Sequence, residues 1–129
     1  MKRKLAHIAL LVHDYDEAID YYTNKLDFIL IEDTAMSSTK RWVLLSPSKE
    51  ASCDILLAKA SNDEQKLAIG NQCGGRVFLF LHTDNLERDY KNYTTKGIKF
   101  VRAPVKEAWG SVAVFKDLYG NLWDLIEAI

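Results

Sequence analysis

The chain has little of what would mark it for several common roles. An excess of charge of one sign is missing: 17 Lys and Arg stand against 18 Asp and Glu, a formal net charge of -1. The two signs are interspersed, so no field gathers a nucleic acid or an anionic lipid surface. The Lys2-Arg3-Lys4 start is too short to create one. No apolar run approaches the roughly 20 residues that span a bilayer. The basic start leads into a strand-like segment containing His7 rather than the apolar core of a signal peptide, so a cytoplasmic location is expected. Cysteine is scarce, and Cys53 and Cys73 are too far apart for a metal-type pair. In a reducing compartment both read as free thiols, and neither has a neighbouring base in sequence that would activate it as a nucleophile.

What is present is a 129-residue chain with 48% apolar residues, enough for one globular domain with a substantial core. Its most informative feature is an echo. His7-Ile8-Ala9-Leu10-Leu11-Val12-His13-Asp14 and Val77-Phe78-Leu79-Phe80-Leu81-His82-Thr83-Asp84 both run as a short apolar strand into a polar turn. They lie roughly 70 residues apart, a spacing that indicates an internal repeat. The echo continues, because Asp14 and Glu17 match Asp84 and Glu87. Tyr22-Thr23-Asn24-Lys25 then matches Tyr93-Thr94-Thr95-Lys96 with a one-residue slip. A unit of about 60 residues is small for a core of its own, so the copies are expected to share one.

Local patterns give each copy the order βαβββ. In the first, residues 5–12 read as a strand, and the acidic turn from Asp14 to Glu17 suits a helix N-terminus. Ala18, Ile19, Tyr22 and Leu26 make the helix's apolar stripe. Strands follow at 28–31, 42–45 and 53–58. Residues 61–75 form a linker whose polar opening caps a short helix stopped by Gly74-Gly75. The second copy has strands at 77–81, 98–102, 111–116 and 122–126, with a helix at 86–96 closed by Gly97 and a turn at 117–121. Alternation puts Val77, Leu79 and Leu81 on one face and Phe78 and Phe80 on the helix side, so most aromatic residues read as core. Trp109 is set apart in the loop from Pro104 to Gly110, where it either stacks on a flat ligand or packs on its own loop.

Two segments resemble a known family. Ala6-His7-Ile8-Ala9-Leu10-Leu11-Val12 leads to Ala18-Ile19-Asp20-Tyr21-Tyr22, and the chain closes with Phe115-Lys116-Asp117-Leu118-Tyr119-Gly120-Asn121-Leu122-Trp123-Asp124-Leu125-Ile126. Together they are similar to the vicinal oxygen chelate superfamily, which includes glyoxalase I, extradiol dioxygenases and bleomycin and fosfomycin resistance proteins. The resemblance implies an α+β fold of two βαβββ modules, about 1–60 and 76–129. These form a curled, cup-like mixed sheet with helices on the outside, as a single domain. It also implies a divalent ion (Zn, Ni, Mn or Fe) held by one residue from the first and last strand of each module, and a homodimer.

Carried over by position, the ligand set falls on His7, Leu56, Val77 and Asp124, so only His7 and Asp124 offer donor atoms. Such a site normally needs at least three protein ligands. Asp54, two residues before Leu56, is the one candidate third. The reading therefore favours no metal, with His7 and Asp124 as an acid/base pair, or as cup-lining residues, the Asp satisfied by Arg41 or Arg102. His13 and His82 follow strand ends and suit turn roles. Two functions stay open: a protein binding a small, largely apolar or aromatic molecule through Leu11, Leu56, Val77, Leu79 and Trp109, or a glyoxalase-like lyase, isomerase or dioxygenase.

Overall fold

A computed structural model describes residues 1–129. The chain divides into two compact units, Met1–Ile69 and Gly70–Ile129. Each carries one four-stranded mixed sheet, and the class is α+β.

Unit one runs β1 (His7–Val12), α1 (Tyr15–Asn24), β2 (Ile29–Ala35), β3 (Arg41–Ser46), β4 (Asp54–Lys59) and a short α2 (Asp63–Ala68). The sheet order is β1-β4-β3-β2, with β1 parallel to β4 and the other pairs antiparallel. Helix α1 starts where it does because Asp14, in extended conformation, accepts the Glu17 N–H at 2.8 Å, while Asp16 and Glu17 suit the positive end of the helix. Its Ala18 and Tyr22 are buried, and it packs on β2, β3 and β4. Leu10, Val12, Val43, Leu45, Ile55 and Leu57 are buried with them, so one face of this sheet is core.

Unit two repeats the plan with β5 (Val77–His82), α3 (Leu86–Thr95), β6 (Phe100–Glu107), β7 (Gly110–Lys116) and β8 (Leu122–Ala128), in the order β5-β8-β7-β6. Phe115 anchors its core, stacked on Trp123 at 5.9 Å and edge-on to Tyr93 at 5.6 Å. The turn from Asp117 to Asn121 is organised by one carboxylate. Asp117 Oδ1 accepts from the N–H groups of Tyr119, Gly120 and Asn121, and Oδ2 accepts from Asn121 Nδ2 and Trp123 Nε1. Gly70, at φ 76°, lies against this turn so closely that a Cβ would fall 1.9 Å from the Tyr119 carbonyl oxygen.

Several sequence expectations need correction. The one-residue slip lies in the turn before the helix: His13 and Asp14 separate β1 from α1, but Thr83, Asp84 and Asn85 separate β5 from α3. The second helix starts at Leu86 as expected and is capped by Asn85, whose side chain accepts from the Arg88 N–H. Helix α2 ends at Ala68, well before Gly74-Gly75. Strand β6 continues through Pro104 to Glu107, because as an edge strand it can carry a residue without an N–H. The expected seven-residue loop shrinks to Ala108-Trp109 at a hairpin tip.

The faces of β5 are also redistributed. An irregularity between Val77 and Leu79 leaves Val77 opposite Leu122 but sets Leu79 opposite Trp123 and Phe80 opposite Asp124. Trp123 and Leu125 are 3% and 0% exposed, so Leu79 and Leu81 share the core side. Phe80 lies on the Asp124 side and is 62% exposed. Strict period-two counting fails here because a bulge moves one residue out of phase.

Candidate functional site

The other face of the unit-one sheet builds a hollow. In the parallel pairing His7 lies beside Asp54, Ala9 beside Leu56 and Leu11 beside Ala58, while across the antiparallel pair Leu44 lies beside Leu56. Residues paired in register share a face, and alternation adds Trp42 to this one. Leu11, Trp42, Leu56 and Ala58 from that face line a hollow of about 570 Å³. Tyr15, Thr39, Lys40, Arg41, Lys59, Ser61 and Gln65 also line it. Its volume lies within the roughly 300–1,000 Å³ of small-molecule sites, and its floor is apolar and aromatic with polar groups around it, as such sites require.

The polar wall is held by local bonds. Arg41 pairs with Asp33 at 2.7 Å and Asp16 at 2.9 Å, and its guanidinium lies 5.2 Å from the Tyr15 ring centre. The hydrogen bond from Arg41 holds the Asp33 carboxyl below its ordinary range. Tyr15 Oη in turn accepts the Arg41 N–H at 3.3 Å. Gln65 Oε1 accepts from both the backbone N–H and the hydroxyl of Ser61, which closes the start of α2.

Unit two has a hollow of about 520 Å³ lined by Asp84, Glu87, Tyr90, Pro104, Val105 and Glu127, among others. Its acids are engaged: Asp84 with Arg88 at 2.8 Å, Glu87 with Lys91 at 3.1 Å, and Glu127 Oε1 accepting the Leu86 N–H at 2.7 Å.

Leu11 and Leu56 thus meet in the unit-one hollow, and neither hollow is lined by Val77, Leu79 or Trp109. Trp109 stands 53% exposed at the β6–β7 tip. His7 is exposed, its ring edge-on to Trp42 at 5.9 Å. Within neither unit do three His, Cys, Asp or Glu side chains gather in a way that could hold a metal ion. His7 and its register neighbour Asp54 make only a pair, so a resident divalent ion does not fit the donors of unit one. Cys53 and Cys73 are unbridged. Arg41, one of two cations considered for Asp124, is committed to Asp16 and Asp33.

Asp124 is half-buried in β8. Burial pushes its carboxyl above the ordinary value, and the charge of Arg102 opposes the shift. A carboxyl whose pKa is raised by folding adds stability that is full below its unfolded value and is lost as pH rises through the folded one. Asp124→Asn is therefore expected to raise the melting temperature at pH 7 and to leave it unchanged near pH 3. Thermal denaturation at the two pH values checks this, and equal shifts at both would remove the titration account.

Trp42, Lys40 and Gln65 line the hollow without being singled out by the sequence pattern, and Trp42 supplies its aromatic floor. The parity of Trp42 with Leu44 was available, but placing Leu44 beside Leu56 depends on the pairing register across residues 47–53, which alternation alone does not supply.

Comparison with known proteins places this geometry. The model of the Glyoxalase/Bleomycin resistance protein/Dioxygenase superfamily matches residues 4–125. An uncharacterized protein of Shewanella frigidimarina (strain NCIMB 400) is 59% identical over 128 residues, covering 98% of this chain and 95% of its own. Among solved structures, UcmS2 has a TM-score of 0.85 at 30% identity, with 98% of each chain covered. TnmS3, an antibiotic binding protein from Streptomyces sp. CB03234, shares the fold with a TM-score of 0.81 at 23% identity, covering 99% of this chain and 98% of its own. The paired βαβββ units and a family match over nearly the full length agree, and the chain belongs to the glyoxalase/bleomycin resistance protein/dioxygenase superfamily.

Proposed function

We propose that this chain is a small-molecule binding protein that holds a largely apolar or aromatic ligand in the unit-one hollow, without a complete metal site. The observation that carries the reading is the floor made by Trp42, Leu11, Leu56 and Ala58 on the sheet face opposite Leu10, Val43 and Leu57. A protein of the same fold, TnmS3, is described as antibiotic binding, which is consistent with a ligand of this kind.

Trp42 offers a flat surface to an aromatic ring, and such contacts contribute about 0.5–1.5 kcal/mol beyond the area they bury. Trp42→Ala is expected to weaken binding of naphthalene-2-carboxamide about tenfold in a calorimetric titration. If Trp109→Ala produced that loss and Trp42→Ala did not, the ligand would belong at the hairpin tip.

A second reading, acid/base or metal-assisted chemistry of the glyoxalase or dioxygenase kind, draws on the raised pKa of Asp124. Metal analysis of protein purified without chelator separates the two. The binding reading expects less than one-tenth of an equivalent of any divalent ion, before and after His7→Ala. A full equivalent of ion that disappears on that substitution would establish the metal reading instead.

A further inference from the structure

The lining of the unit-one hollow is one-sided in charge. Lys40, Arg41 and Lys59 contribute to it, and no Asp or Glu does. Arg41 is already committed to Asp16 and Asp33, so its charge is offset. Lys40 and Lys59 are drawn into no ion pair.

Both lysines are fixed in their backbones. Lys40 closes the turn after β2, its carbonyl accepting the N–H groups of Met36 and Ser37 and its own N–H donating to Ser37 Oγ at 3.1 Å. Lys59 ends β4 in register with the buried Val12, so alternation sets it on the face opposite Leu56 and Ala58, at the end of the hollow and not over its floor. Gln65 adds a second donor beside Lys40. Its Oε1 is spent on Ser61, which leaves the NH2 end for a ligand.

The repeat shows that this charge is not demanded by the scaffold. Leu56 and Asp124 pair in the same way within β4 and β8, with Ala9 and Leu44 in one unit and Phe80 and Val114 in the other. Three residues further on stand Lys59 and Glu127. Glu127 caps α3 through the Leu86 N–H, so this position faces the helix side of its sheet, and Lys59, in register with Val12, stands on the matching side of β4. In unit two the hollow gathers Asp84, Glu87 and Glu127, each with a partner of its own, together with Lys106; in unit one it gathers Arg41, which is paired, and Lys40 and Lys59, which are in no ion pair.

We propose that the unit-one hollow selects aromatic ligands that carry an anionic group, a carboxylate or sulfonate, with the ring on Trp42 and the anion toward Lys40 and the Gln65 amide. The inference rests on the binding function proposed above and narrows its ligand class.

Three probes of matched shape test it by calorimetry: naphthalene-2-carboxylate, naphthalene-2-carboxamide and 2-naphthylmethylammonium. At low salt the carboxylate is expected to bind about fivefold or more tightly than the amide, with the ammonium weakest. That preference should fall toward unity in a Lys40→Gln variant and in high salt. Lys40 is exposed, and an unchanged thermal melt confirms that the variant is folded. Equal binding of carboxylate and amide overturns the anion preference and leaves the aromatic site standing. A preference that survives in the Lys40→Gln variant also overturns it, since the anion then sits elsewhere. Binding of none of the three removes the site itself and the inference with it.

Discussion

Asp117→Ala is expected to lower the unfolding free energy by about 4 kcal/mol, the largest loss of any polar substitution considered for this chain. Asp117 is 6% exposed, and its two oxygens accept five hydrogen bonds, three from backbone N–H groups of its own turn and two from Asn121 and Trp123 side chains. Removing the carboxylate leaves buried donors without acceptors, each costing about 1–3 kcal/mol before relaxation. It also loosens the indole that stacks on Phe115. For a chain of this size the loss corresponds to a fall in melting temperature of roughly 10–15 °C. Asp117→Asn, which keeps one acceptor oxygen, should cost about half as much. Urea denaturation followed by fluorescence measures both, and a loss below about 1 kcal/mol for the alanine variant would mean the turn holds itself without the carboxylate.

The second large effect concerns binding. Leu56→Glu is expected to weaken binding of naphthalene-2-carboxamide about a hundredfold or more. Leu56 lies between Ala9 and Leu44 in the pairing of the sheet and lines the hollow, so a carboxylate there must give up water when a ring covers it. Leu56→Trp should have a similar effect by a different route, filling the space the ring needs. The two variants separate occupancy from polarity. Leu56 is only half-buried, so thermal melts should move much less than binding does. If both variants bind the amide as the parent does, the hollow is not where the ring sits.

How far the sequence alone leads can be judged residue by residue. The echo of residues 7–14 in 77–84 correctly points to two βαβββ units, because short apolar strands and capped helices are local patterns. Leu11 and Leu56 were legible as sharing one face of the sheet for the same reason: each needs only the parity of its own strand. Trp42, Lys40 and Gln65 were not. Their place depends on how β3, the β2–β3 turn and α2 come together around β4, and pairing register is a property of two strands at once. Phe80 and Leu79 exchanged faces because a bulge after Val77 is invisible to alternation, and Pro104 misled because its strand is an edge. The Asp117 turn was read from composition, yet its stability comes from one carboxylate meeting donors up to six residues away.

The central claim is that the aromatic ligand of this chain sits on the unit-one sheet face. Titrating ¹⁵N-labelled protein with naphthalene-2-carboxamide, and following amide and indole resonances, tests it directly. The account predicts the largest shifts at the Trp42 indole N–H and at the amides of Leu11, Leu56, Ala58 and Gln65. Shifts centred instead on Phe80, Trp109 and the strands of unit two would contradict it.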